Sequence, residues 1–456
     1  MRIAVVGAGI SGLSAAWLLS RRHDVVLFEA EHRFGGHSNT VEAIEHDRQV
    51  AIDTGFIVYN TACYPNLIAL FKHLGVATAP TEMSFSVSLD GGAYEYNGNG
   101  VNGFFGQRSN LFSLEHWRMA AEVRRFFSEA ADLQNLAQSQ KEAQSQKEAG
   151  DLYLTLGAWL AARRYSRAFI ERHILPMGAA IWSASLNEIL EFPAQSFARF
   201  FANHGLLQMS DRPQWRTVRS GSRQYVARLM AEFKGTAIKG DAVTSVQRTA
   251  DGVSIRTLNG HTAEFDRCLI ACHAGDALAL LADASEPERQ LLGAFRYATN
   301  DTILHTDARL MPRRRRLWTS WNYLASSKMD ASRSASVTYW MNKLQPLDTT
   351  RDYFVTLNPM RPIAPDQTIA RFSYQHPLFD SAALNSQKQL WSLQGQRNTW
   401  FAGSYFGYGF HEDGLQAGLA AAEDLGAVRR PWRVEGESSR LNFGEHQAAA
   451  SQVAAQ

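Results

Sequence analysis

The sequence predicts an α/β protein in which a doubly wound, mainly parallel sheet carries a three-stranded meander and is interleaved with an α+β domain. Three observations predict it. A glycine-rich turn, Gly7 to Gly12, stands between a β-branched run and a helical pattern at the start of the chain. Short strands separated by Asp251-Gly252 and Asn259-Gly260 form a meander after residue 242. A strand followed by a helix recurs between Trp400 and Leu425. The pieces of the sheet are thus separated by long excursions.

Composition bounds the function. The chain has 456 residues, with 46 Lys and Arg against 44 Asp and Glu. So close a balance argues against a dedicated nucleic-acid binder. Its 25 Phe, 11 Trp and 14 Tyr supply ample core material and exclude disorder for the bulk of the chain. Cys63, Cys268 and Cys272 form no CxxC pair, so neither a disulfide framework nor a metal site is expected, and a cytoplasmic setting is. No apolar run reaches the ~18 residues of a transmembrane helix. The apolar start mimics a signal peptide, but its glycines have a better explanation.

Arg2 to Val6 reads as a buried strand, and Ile10, Leu13, Trp17 and Leu18 recur at helical spacing. Asp24 to Phe28 reads as a second strand ending at Glu29, 17 residues past Gly12. This is the layout of a dinucleotide-binding βαβ unit. Gly7 turns the chain out of the strand, Gly9 admits a pyrophosphate, and Gly12 lets helix and strand pack. The helix N-terminus offers free N–H groups to phosphate, and Glu29 can accept from a ribose. Gly35-Gly36 then supplies a second backbone approach that a nicotinamide dehydrogenase does not need.

Arg33-Phe34-Gly35-Gly36-His37 resembles the R-x-G-G-R motif of the flavin amine oxidase and phytoene desaturase superfamily, with His37 where the last Arg stands. The resemblance implies non-covalent FAD and covers about residues 1–428. Asp53-Thr54-Gly55-Phe56 stands for a D-x-G-G segment, with Phe56 in place of a glycine. Trp400-Phe401-Ala402-Gly403 resembles the closing F-A-G strand, with Ser404 where an acid is usual. Gly409 to Gly414 reads G-F-H-E-D-G, as in one bacterial branch of the superfamily. A helix from Gly414 to Leu425 is then expected to aim its start at the flavin. The implied cofactor positions are Gly7, Gly9, Ile10, Ser11 and Gly12, then Glu29 and Ala30, then Gly35, Gly36 and His37. Thr54, Gly55 and Phe56 follow, then Val243, Gly403 and Ser404, and last Asp413, Gly414 and Leu415.

The resemblance also divides the chain. Residues 1–75, 205–275 and 396–428 form the FAD-binding domain, residues 76–204 and 276–395 the substrate domain, and 429–456 a polar tail expected to be poorly ordered. Within the excursions, Met83 to Leu89 and Ala93 to Tyr96 flank a hairpin turn at Asp90-Gly91-Gly92. A polar hexapeptide occurs twice in 137–149 and reads as an exposed extension.

The expected chemistry is hydride transfer from an apolar substrate, a lipid or an isoprenoid, to FAD. The lysine that amine oxidases often place near the flavin falls at Asn300 by order of elements, and no lysine lies between 240 and 327. This argues against an ordinary amine oxidase and leaves a dehydrogenase, a desaturase or an isomerase. A non-catalytic escort protein on the same fold, as the GDP-dissociation inhibitors resemble, is opposed by the intact glycines. His411 is the candidate catalytic residue. Trp182, Trp215, Trp318, Trp321 and Trp340 are candidates for an apolar tunnel, and Arg313 to Arg316 beside Trp318 for peripheral contact with the inner membrane. The electron acceptor is unassigned.

Overall fold

A computed structural model describes residues 1–138, 154–208, 212–326 and 335–444. The repeated hexapeptide, beyond residue 138, lies outside them, as does the chain after 444.

The first strand, Arg2–Val6, is buried from Ile3 onward, as a strand covered on both faces must be. It pairs in parallel with Asp24–Glu29 on one side and Arg267–Ile270 on the other. Thr236–Lys239 and Thr399–Phe401 complete a five-stranded parallel sheet. The chain reverses direction across the sheet between Arg2–Val6 and Arg267–Ile270. In such sheets the ligand crevice lies beyond the carboxyl ends of the strands at that point. The meander stands beside it: Val243–Arg248, Val253–Thr257 and Thr262–Phe265 pair antiparallel.

Two helices meet over this sheet. Ile10–Leu19 is buried along its whole length. The closing helix, His411–Gly426, lies against it. Small residues set their approach. A Cβ on Gly418 would come within 2.2 Å of the Ser11 carbonyl oxygen, and one on Gly414 within 2.9 Å of Ser11 Oγ.

A seven-stranded sheet carries the other half of the molecule. Its order runs Thr368–Leu378, Arg296–His305, Phe354–Leu357, Ser336–Trp340, Trp321–Ala325, Phe85–Leu89, Tyr94–Asn97. The predicted hairpin is its edge, turning through Asp90, Gly91 and Gly92 with φ of 51°, 64° and 93°. Its one parallel pairing joins Phe85–Leu89 to Trp321–Ala325, so two excursions far apart in sequence share one sheet. Helices Leu114–Gln138 and Ala194–Asn203 pack together beside it around Phe126, Phe197 and Phe201.

Three expectations are corrected. The closing helix starts at His411, three residues before Gly414, because Asp413 caps it: Phe410 N–H donates to Asp413 Oδ2 at 2.8 Å. The tail is packed as far as residue 444. Arg430 has a fully buried side chain bound to Glu423 and Asn66, and Trp432 stacks on Trp17 at 6.0 Å. Its polar composition misled because these arginines are paired inside the protein rather than solvated.

The third concerns the tryptophan rings beside the run Arg313 to Arg316. Arg314 pairs with the buried Glu95 at 2.8 Å, and Arg315 pairs with Asp352 and lies over the Trp318 ring. Trp318 is buried with Met311 and Phe354, and Trp340 packs on that cluster. Those rings hold the fold and do not project from it, whereas Arg313, Arg315 and Arg316 are exposed. Among the described residues no helix is long and apolar enough to cross a membrane.

Candidate functional site

A cavity of about 1400 Å³ opens from the carboxyl ends of the parallel strands and continues between the seven-stranded sheet and the helices. Its near end is lined by Gly7, Gly9, Ile10 and Ser11 of the first turn, and by Glu29 and Ala30. Gly36 and His37 join from the second glycine loop, and Thr54, Gly55 and Phe56 from the next. Val243, Gly403, Ser404 and His411 complete that end. Five positions of the expected set stand behind the wall. A Cβ on Gly12 would lie 1.8 Å from the Gly7 carbonyl oxygen, so Gly12 serves the packing of the turn. Gly35, at φ 116°, donates its N–H to the Ala8 carbonyl at 2.9 Å and ties the two glycine loops together. Gly414 packs on Ser11, and Leu415 is buried in the core. Asp413 caps the closing helix and pairs with Arg440 at 3.2 Å.

The near end fits FAD by its own geometry. Gly9 caps the first helix with no side chain, and a Cβ there would meet nothing within 4 Å. The unsatisfied N–H groups of that helix turn therefore face open space, as an anionic diphosphate requires. Glu29 is fixed beside them: its Oε2 accepts from Ala8 N–H at 2.7 Å and its Oε1 from Glu31 N–H at 2.9 Å. Among the described residues three buried polar atoms on the cavity wall lack partners, His37 Nε2, Trp182 Nε1 and Tyr405 Oη. Buried polar atoms are rarely left so, and a molecule bound in the cavity would satisfy them.

Asp53 shapes the Thr54–Phe56 loop. Its carboxylate accepts from Thr40 Oγ1, Ser222 N–H and Oγ, and Gln345 Nε2. Burial pushes its pKa up to about 6 despite these donors. The loop sets Phe56 flat against His411, and His411 Nε2 is bonded to Tyr225 Oη at 2.9 Å and Ser38 Oγ at 3.0 Å. Burial lowers the His411 pKa to about 3, so the ring is neutral.

A second group was missed in the sequence. His37, His273 and His376 surround one corner of the cavity, with ring centres 6.2 and 5.7 Å from His37, and Tyr374 lies 5.1 Å from it. Burial lowers all three histidine pKa values, that of His376 to about 4, and their mutual repulsion lowers His37 further. His273 could have been noticed, since it follows the parallel strand Arg267–Ile270 and caps the next helix. His376 could not, because only the pairing of Arg296–His305 with Thr368–Leu378 brings it in. Asn300, where the lysine was sought, is buried beneath His376, its Nδ2 3.4 Å from His376 Nδ1. Among the described residues no lysine lines the cavity. No cluster of three or more His, Cys, Asp or Glu among the described residues is arranged to hold a metal ion.

The far end is apolar and aromatic. Trp182, Trp215 and Trp321 of the tryptophan set line it, with Phe104, Phe127 and Met177. Among the described residues the cavity's carboxylates, Glu29, Glu31 and Asp276, all belong to the near end. Cys272, expected in the core, is on the wall, while Cys268 is fully buried.

Known proteins share this architecture. A putrescine oxidase structure with bound putrescine matches with a TM-score of 0.65 at 16% identity, covering 94% of this chain and 99% of that one. A conjugated-linoleic-acid-producing (CLA-producing) fatty acid isomerase from P. acnes gives 0.63 at 16% identity, covering 93% and 97%. The cyclohexylamine oxidase of Brevibacterium oxydans gives 0.63 at 17%, covering 93% and 98%. At such identities the likeness is one of fold. No curated protein matches the chain in sequence. The model of the flavin containing amine oxidoreductases, however, matches residues 10–342, most of the chain. The chain therefore belongs to the flavin-containing amine oxidoreductase family and is an FAD-dependent oxidoreductase.

Proposed function

We propose that the enzyme oxidises an apolar substrate, a lipid or an isoprenoid, by forming a carbon–carbon double bond. The observation that carries this reading is the distribution of charge along the cavity. An amine substrate is a cation and is best held by a carboxylate or an uncrowded aromatic cage. Among the described residues the far end has no carboxylate, and its formal charges are Arg124 and Arg212, which repel a cation. An alkyl or isoprenoid chain instead gains roughly 0.8 kcal/mol per buried CH₂ from such a wall.

FAD, when bound, supplies the hydride acceptor. The chain's own residues must do the rest. Trp182, Trp321 and Phe127 exclude water and orient the substrate. Desaturation also releases a proton from the neighbouring carbon, which needs a neutral base. His37, His273 and His376 are held in that state. Of these His37 has an unpartnered Nε2 on the cavity wall, so it is the proposed acceptor. His411, with its Nε2 already engaged, is the proposed orienting wall of the site.

The test is anaerobic reduction. The purified protein is expected to show flavin bands, and lipid or isoprenoid substrates are expected to bleach them. Bleaching by amines alone overturns the reading. Product formed without bleaching and without an acceptor points instead to the isomerase.

A further inference from the structure

We infer that the enzyme docks on anionic lipid surfaces through the segment 101–117, which rims the cavity mouth. The inference rests on the lipid reading above only for the identity of what enters. Among the described residues, nine large apolar side chains are exposed, and five of them fall in this one segment: Val101, Leu111, Phe112, Leu114 and Trp117. Phe112 is 90% exposed and Leu114 88%. Apolar side chains scattered singly need no explanation, but a contiguous set does.

The exposure is built rather than accidental. Beneath the segment, Asn110 is buried and donates from Nδ2 to the Glu95 carbonyl at 3.0 Å. His116 is buried between Tyr94 Oη at 2.8 Å and the Phe104 carbonyl at 3.0 Å. Trp117 Nε1 donates to the Leu111 carbonyl at 3.0 Å and closes the 3₁₀ turn Arg108–Phe112 over the helix start. A polar underside thus holds the apolar side chains outward.

Two features select a lipid surface over other occupants. Val101 and Trp117 are both exposed and part of the cavity wall, so the patch surrounds an entrance. Arg108 and Arg124 are exposed beside it and have no acidic partner among the described residues, whereas Arg118 is matched by Glu122 and Glu115 by Arg172. Apolar projections flanked by unpaired cations complement anionic headgroups above an acyl layer. A chain drawn from that layer would enter the cavity without crossing water.

The experiment is flotation of the FAD-loaded enzyme with phosphatidylcholine vesicles, with and without phosphatidylglycerol. The wild type is expected to float with the anionic vesicles. The variant F112S/L114S is expected to bind at least about tenfold more weakly, and R108E/R124E to lose the preference for phosphatidylglycerol. All four side chains are exposed, so unchanged flavin spectra and melting are expected of both variants. No flotation of the wild type, or equal flotation of F112S/L114S, overturns the inference. So does a wild-type dimer that F112S/L114S dissociates in the absence of vesicle binding, since the patch would then meet a second copy. Flotation without bleaching by any lipid would remove the lipid-substrate reading and leave the docking surface standing.

Discussion

The imidazole of His411 lies flat on the ring of Phe56, with centres 3.7 Å apart and planes 7° from parallel. Phe56 stands where the related motif has a glycine, and His411 is the first residue of the closing helix. The pair therefore joins the two ends of the nucleotide-binding fold across the cavity wall, and the aromatic ring at Phe56 leaves that imidazole poorly hydrated.

The His411→Phe variant tests that environment. The unfolded chain takes up a proton at histidine near pH 6.5, the folded chain at His411 only near pH 3. The folded state thus binds fewer protons in that window. Stability from this group is complete above about pH 6.5 and is lost as pH falls towards 3. A phenyl ring in its place cannot titrate, so the variant should lose about 2 kcal/mol less than the wild type between pH 7 and pH 5. Urea unfolding at the two pH values measures the difference, and equal losses would show that the ring is hydrated.

Gly9 and Gly12 should fail in different ways. A methyl at Gly9 meets no protein atom within 4 Å, so Gly9→Ala should fold normally and bind FAD at least about tenfold more weakly. A methyl at Gly12 collides with the Gly7 carbonyl at 1.8 Å, so Gly12→Ala should cost about 3 kcal/mol of stability even without FAD. Thermal melts of cofactor-free protein alongside FAD titration separate the two. Equal melting temperatures for both variants would contradict this division.

Arg440 should behave as a core residue despite its place near the end of the chain. It pairs with the buried Asp413, and its Nη2 donates to the Cys63 carbonyl at 3.1 Å. Arg440→Ala leaves Asp413 buried and unpaired and should cost about 3–5 kcal/mol. Adding Asp413→Asn should recover part of that loss, which denaturant unfolding of the single and double variants would reveal.

Trp182 separates the main cavity from a smaller one of about 240 Å³, since it lines both. Trp182→Ala should join them and cost about 3 kcal/mol from lost packing. Substrates with longer or bulkier chains should then bleach the flavin faster relative to short ones. An unchanged preference would place the substrate elsewhere in the cavity.

The near end of the cavity was legible because its geometry is local. Gly7, Gly9 and Glu29 lie within one strand–turn–helix unit, and a glycine-rich turn between such elements has few other uses. Gly36 reached the cavity wall for the same reason, whereas Gly35 stands behind it and ties the two glycine loops together. The start of the closing helix was misjudged by three residues because Phe410 is no ordinary cap and the capping group is Asp413, inside the first turn. The tail was misjudged because composition treats Arg430 and Arg440 as solvated, while both are paired in the interior.

By itself, then, the chain's order of residues determined the first strand–turn–helix–strand unit, the two glycine loops and the class of cofactor, since each depends on neighbours within about thirty residues. Only the tertiary structure decided which histidines meet, which tryptophans line the cavity and where apolar surface is left facing out. His37, His273 and His376 come from three separate segments, and Phe85–Leu89 finds Trp321–Ala325 across more than half the chain. Contacts of that kind depend on the packing of whole sheets and leave no periodic mark in the local sequence.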